Sequence, residues 1–488
     1  MKIRTISAAI CLALLAPAPA LAAATAEGAE ALKQQFISYF GPLLTDQGIL
    51  TIELSGEDYK VSLDGEKAFG LLKLPSAVVK MERYSYFITP GQEGAWTARG
   101  DQFPSLTFLA VTPKGNLSGQ MDVRDHHFEA AYDPKLQQPF YSSARVGEID
   151  AKVHVPEGPG QGADIDVHES GLAMEVKAVR VEGGAMSFSI AQSIKSVTET
   201  VAMTGAPKPG GPFKLNYQFG EITGNGALTA LRFDGMRELI VWLVTHKDDT
   251  RTDAMQLEAK VRVLALLPLW DNFSGDIALK NILIEAPQGS VKMQSLSESL
   301  SIGGLSANTG ASFAFAFKDL AGASPMLPPF AQKLMPASFD FEVKATVAGM
   351  DKVARIVLEA TNLNSNAPLS NAVQAQIAAV LMNGAPKLTL APGHFTIPLI
   401  DVGYEGEITL AQSKPVGHFV VTADGFDKTM ALLQDSANKI PEAQNATLAL
   451  TFAKGLAKTD ASGKLTWVFD IADEKSFTVN GQRFPLGK

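Results

Sequence analysis

The chain offers little reactive chemistry: 488 residues hold 7 histidines and 1 cysteine, so any reaction centre must draw on a few positions. The densest group is Asp125-His126-His127, with Glu129 and Asp133 close behind. These residue types ligate divalent metals. Neighbouring residues of a strand point to opposite faces, however, so His126 and His127 would share an ion only from a loop. The group reads as a solvated polar turn, and no metal or other cofactor is expected.

A second group, Asp150, Lys152 and His154 with Asp164, Asp166 and His168, brackets Gly158-Pro159-Gly160. Folding residues 149–155 back on 164–168 about that turn sets Asp150 opposite His168, Lys152 opposite Asp166 and His154 opposite Asp164. Each pair is electrostatically complementary, and Ile149, Ala151, Val153, Ile165 and Val167 share the other face. This is the pattern of a structural ladder. The glycines at 158, 160 and 162 resemble a phosphate loop in number only, because no helix start with a lysine follows. His246, His394 and His418 are scattered along the chain, and no role is assigned to them.

The chain lacks Gly-x-Ser-x-Gly, His-Glu-x-x-His, Gly-x-x-x-x-Gly-Lys-Ser/Thr and any cysteine pair. The reading is therefore of a protein that is not an enzyme. Asn116-Leu117-Ser118, Asn272-Phe273-Ser274 and Asn445-Ala446-Thr447 match the glycosylation sequon, and no role is assigned to them.

Lys2 and Arg4 precede an uncharged apolar run over residues 6–15, and Ala20-Leu21-Ala22 supplies small residues at the positions a signal peptidase reads. Pro17 and Pro19 interrupt the run well short of the ~20 apolar residues a spanning helix needs. Residues 1–22 are thus expected to be an export signal cleaved near Ala22, which places the protein in the periplasm. Cleavage removes Cys11, leaving neither a disulfide nor a thiolate. The formal net charge is −9, and loss of Lys2 and Arg4 makes it more negative. Nucleic acid and anionic membrane surfaces call for a basic patch, so neither is an expected partner. No later segment reaches transmembrane length without a charge or a proline.

The elements that would position any site show best over residues 311–347. Phe313, Phe315 and Phe317 alternate with Ser312, Ala314 and Ala316; Phe339, Phe341, Val343 and Val347 alternate with Asp340, Glu342, Lys344 and Thr346. A period of two specifies strands. Between them lies the apolar run Met326-Leu327-Pro328-Pro329-Phe330, broken by prolines and at most a short helix. The five phenylalanines Phe313, Phe315, Phe317, Phe339 and Phe341 are read as lining an apolar groove, the alternative being ordinary core.

Elsewhere, residues 28–46 read as an amphipathic helix through Leu32, Phe36, Phe40 and Leu43, and a β meander is expected to about 204. The Pro- and Gly-rich segment 206–212 marks the expected boundary between residues 23–206 and 213–488. Helices are predicted after Asp234, over 253–267, from about Asn366 to Asn383 and over 426–438. Arg232-Phe233-Asp234, Phe317-Lys318-Asp319, Ala360-Thr361-Asn362 and Thr422-Ala423-Asp424 read as four similar strand exits. The expected class is α+β and mainly β: large curved antiparallel sheet with several helices packed on one face.

The ending, Leu465-Thr466-Trp467-Val468-Phe469-Asp470-Ile471 and then Ser476 to Phe484 with Asn480-Gly481-Gln482-Arg483, resembles the end of an exported family of unknown function in Gram-negative bacteria. Leu267-Pro268-Leu269-Trp270 followed by Phe273-Ser274-Gly275 is similar too. The resemblance covers mainly residues 213–488. It implies a location and an architecture but assigns no catalytic residue. More distantly, the texture looks like AsmA-type envelope proteins, whose curved sheets are thought to hold lipid. Two functions are expected to compete: a carrier of an apolar or lipid ligand, and a structural or protein-interaction component of the envelope.

Overall fold

The computed structural model describes residues 23–488 apart from positions 41, 71–75, 134–137, 159, 206–212, 247–251, 326–331, 363–367, 412–413, 438–440, 473–474 and 486–488. The candidate signal, the run Met326 to Phe330, the linker 206–212 and Asn366 lie outside the described residues. Of the described residues strand makes up about 57% and helix 25%, with antiparallel pairing, so the class is mainly-β α+β.

The chain divides into two compact units, residues 1–180 with 188–225 and 282–287, and residues 181–187 with 226–281 and 288–488. The first opens with helix α1 (Ala26–Phe40) and the short α2 (Leu43–Asp46). The single helix expected over 28–46 is therefore two, and Leu43 is exposed. Strands β1 (Leu50–Ser55) and β2 (Asp58–Leu63) follow, then helix α3 (Gly65–Gly70). Next come β3 (Ala77–Met81), β4 (Tyr84–Pro90), β5 (Trp96–Gly100), β6 (Leu106–Thr112), β7 (Gly115–Arg124) and β8 (His127–Asp133). β2 pairs with β4, β3 with β6 and β5 with β8, which corrects the expected plain meander. Alternation along β4 and β5 sends Tyr84, Tyr86, Ile88, Trp96 and Ala98 to one side, where Leu32 and Phe36 of α1 bury them. Trp96 and Tyr132, directly paired, stack with centroids 5.1 Å apart.

The longest strands are β9 (Gln138–Gly158) and β10 (Gln161–Arg180). Their register sets Asp150 against His168, Lys152 against Asp166 and His154 against Asp164, as the charge pattern requires. β11 (Met186–Ile194), β12 (Ser196–Thr204) and β13 (Lys214–Phe219) continue the sheet. β12 pairs with β13, Val201 opposite Leu215, within the first unit. The strands on either side of residues 206–212 thus belong to one unit. β14 (Glu221–Leu231) leads into the second unit.

Three helical hairpins punctuate the second unit. Helices α4 (Phe233–Thr245) and α5 (Asp253–Ala265) separate β14 from β15 (Asn272–Ala286). The helix predicted over 253–267 is α5, and Thr252 caps it by accepting from Met255 N–H. β16 (Gly289–Gly303), β17 (Asn308–Lys318), the short β18 (Ala321–Ala323) and β19 (Ser338–Ala348) then precede α6 (Met350–Ala360) and α7 (Asn371–Asn383). Ala360-Thr361-Asn362 therefore ends a helix and not a strand. Ser370 caps α7, later than the expected start. β20 (Lys387–Ile397), β21 (Ile400–Ala411) and β22 (Lys414–Asp424) follow, then α8 (Phe426–Ala437) and α9 (Pro441–Leu456). The chain closes with β23 (Lys458–Thr459), β24 (Leu465–Ile471), β25 (Ser476–Val479) and β26 (Gln482–Pro485).

Registers fix where the hairpins emerge. Thr346 pairs with Lys387, so α6 and α7 leave at the end of the sheet where β19 finishes. Ile302 pairs with Ala311 and Thr309 with Val347, and Gly304 N–H donates to Asp271 O, which puts α4 and α5 at that same end. Asp401 pairs with both Thr396 and Asp424, so α8 and α9 leave from the opposite end.

Candidate functional site

β17 and β19 pair directly, with Phe313 opposite Val343, Phe315 opposite Phe341 and Phe317 opposite Phe339. Because partners across an antiparallel ladder share a face, all five expected phenylalanines lie on one side. Phe339 is the hub. Its ring centroid lies 6.2 Å from Phe315, 5.9 Å from Phe317 and 6.2 Å from Phe341, the last pair stacked. Phe395 and Tyr404, each 6.4 Å away, complete the strip. Sequence reasoning missed both; the alternation of Tyr404 with Val402 on β21 was the available signal.

A bulge in β20 shapes this strip. The register between β19 and β20 shifts between Phe339 and Val343, next to Pro392, which has no N–H to give the ladder. Gly393 sits under Tyr404: an added Cβ would lie 2.6 Å from Asp340 O and 2.7 Å from the Tyr404 ring. The missing side chain lets the Tyr404 hydroxyl reach across β20 and donate to Asp340 O at 2.5 Å. Burial, and then the Asp340 carboxylate, push the Tyr404 pKa up. The hydroxyl is therefore a donor at neutral pH, satisfying a carbonyl that the bulge withdraws from the ladder.

All five phenylalanines, with Phe395 and Tyr404, are half-buried. On the adjoining β16, Leu296 and Leu300 continue the apolar face opposite Phe317 and Phe313, while exposed Glu298 opposite Phe315 gives it a polar rim. Followed the other way, the same face is closed. Phe395 pairs with Val402, Val402 with Ala423 and Ala423 with Leu465. Ala423 and Leu465 are 2% and 1% exposed, beneath Phe426 and Met430 of α8 and Leu450, Ala453 and Leu456 of α9. Trp467 Nε1 donates to Ala453 O at 2.7 Å, locking α9 onto the sheet.

The polar groups singled out by sequence are distributed differently. His127 Nδ1 lies 2.6 Å from Asp101 and its Nε2 3.0 Å from Glu129. Hydrogen bonds to Glu129 and Asp101 raise its pKa. His126 packs against the rings of Tyr84 and Phe103, and burial lowers its pKa, helped by the neighbouring His127 charge. The two imidazoles do not converge. Among the described residues no group of three or more His, Cys, Asp or Glu is placed to hold a metal. His168 and His154 bond Asp150 and Asp164 at 2.7 and 2.6 Å. His394 and His418 find Asp401 and Asp470 across the sheet at 3.2 and 2.7 Å. The β9–β10 pairs and His418–Asp470 are direct ladder partners and His394–Asp401 a diagonal one, as expected for the wet face of an amphipathic sheet.

No family model, curated protein or solved structure matches the chain.

Proposed function

We propose that this is an exported binding protein of the cell envelope that holds an apolar, lipid-like ligand along the aromatic strip of its second unit. One observation carries the reading: Phe313, Phe315, Phe317, Phe339 and Phe341 stay half-buried on a face that helices close completely a few strands away. A strip of aromatic side chains left partly exposed favours an apolar partner. The rings supply dispersion contacts with little rotamer entropy to lose, and Glu298 would meet the polar end of an amphiphile. The apolar run and small-residue site within residues 1–22 support export and a periplasmic location.

Protein purified without detergent, extracted with organic solvent and analysed by mass spectrometry, should carry lipid. The same protein should enhance the fluorescence of a hydrophobic naphthalene sulfonate dye, and Phe315→Ala and Phe339→Ala should reduce both signals. A lipid-free preparation that takes up no dye defeats the proposal. The competing reading, an interaction component of the envelope without a small ligand, draws support from Leu448 and Phe452, 65% and 67% exposed on the outer side of α9. It would be favoured by a stable protein partner lost in Phe452→Glu.

A further inference from the structure

The α4–α5 hairpin presents a second apolar surface that owes nothing to the aromatic strip. Ile240, Val241 and Leu243 on α4, with Leu257 and Val261 on α5, are each at least half exposed. Single exposed aliphatics are ordinary on a protein surface, but five on two adjoining helices form a patch. On the cleft side of α4, next to Val241, the Arg262 guanidinium lies over the Trp242 ring, 5.4 Å from the centroid, and bonds Glu258 through Nε at 3.1 Å and Nη2 at 2.7 Å. An open cleft of about 610 Å³ lies beside it, lined by Arg237, Glu238, Val241, Trp242 and Arg262 among others.

We infer that this hairpin docks on a zwitterionic phospholipid surface, lying in the interface with its aliphatic side chains among the acyl chains. Aliphatic residues flanked by tryptophan and arginine are the composition of an interfacial helix: the indole sits at headgroup depth and arginine stems reach out from the apolar layer. No helix among the described residues is long and apolar enough to cross a membrane. The charges choose the lipid. Arg237 and Arg262 are matched by Glu238 and Glu258, and the whole chain carries −9, so an anionic surface would gain nothing. A headgroup bearing both phosphate and ammonium meets complementary charges of both signs.

Flotation of the full chain with phosphatidylcholine vesicles tests this. The wild type should float with vesicles and remain bound as salt is raised, because area and not net charge drives the association. Leu243→Glu and Leu257→Glu, at surface positions that leave the core intact, should each reduce partitioning about tenfold. Leu109→Glu, an exposed aliphatic of the first unit, should leave it unchanged. Brominated phosphatidylcholine should quench tryptophan emission in the wild type and much less in Trp242→Phe. Absence of wild-type flotation, equal flotation of the glutamate variants or equal quenching in Trp242→Phe overturns the inference. Binding only to phosphatidylglycerol with loss in salt also overturns it. So does self-association abolished by Leu243→Glu without vesicle binding, which would assign the patch to a second copy.

Discussion

Phe317, Phe339, Phe395, Val402, Ala423 and Leu465 form one lateral row, each paired with the next across six strands of the second unit. At one end the side chains are half-buried aromatics; at the other, Ala423 and Leu465 are sealed. The strands at the two ends obey the same alternation and the same antiparallel pairing. The difference comes from what is inserted between strands. Between β22 and β24 the chain spends residues 426–456 on two helices whose Phe426, Met430, Leu450 and Leu456 turn down onto the sheet. A sheet face becomes core only when some other element supplies apolar cover, and β17 and β19 carry the phenylalanines without an equivalent seal.

The largest expected effect is at the closed end. Trp467→Ala removes a buried ring and the Nε1 bond to Ala453, and should destabilise by about 3–5 kcal/mol in urea unfolding, with bound lipid unchanged. Phe315→Ala, on the open side, should cost only about 1–2 kcal/mol, since that ring is half-buried and not sealed, yet should lower lipid content. Equal losses of stability at the two positions would erase the distinction. Smaller than both is the effect of Tyr404→Phe, which leaves Asp340 O without its hydroxyl donor and should cost about 1 kcal/mol. Its ring packing on Phe339 persists, so dye binding should survive; loss of dye with full stability would place the hydroxyl at the ligand instead.

What could be read from the sequence follows from how local its cause is. The register of β9 on β10 was legible because complementary charges at a spacing of two leave one alignment that satisfies all three pairs. The phenylalanine strands were legible for the same reason of period. Helix α6 was not: Val353, Ile356 and Val357 are β-branched and favour strands in isolation, and helical spacing on an amphipathic surface overrode that preference. α9 starts with Pro441 at its first position, a start signal that went unread. The aromatic hub was half visible, since Phe395 and Tyr404 join it only through pairings set by a bulge. Whether a face is covered was illegible altogether, because the cover of Leu465 lies in a separate stretch of chain with no periodic link to it.

The contrast of closed and open recurs across one peptide bond, and there the expected effect is smallest. His126 is wedged between Tyr84 and Phe103 at the edge of the first unit's core, while His127 points out to Asp101 and Glu129. Burial depresses the first pKa and the carboxylates elevate the second, on either side of the ordinary value of about 6.5. As pH falls through 6.5 the unfolded chain protonates at position 126 before the folded one does, so stability due to neutral His126 is lost toward acid. His127 behaves oppositely: its contribution is complete below the unfolded value and is lost as pH rises through its elevated folded pKa. Imidazole resonances followed by NMR should therefore show His126 titrating at lower pH than His127. In His127→Gln the neighbouring positive charge is gone, so the His126 midpoint should move up while staying below that of an exposed histidine. A His126 midpoint at or above that of His127 in the wild type would mean that Tyr84 and Phe103 do not enclose the ring, and would make this edge of the first unit's core an open one.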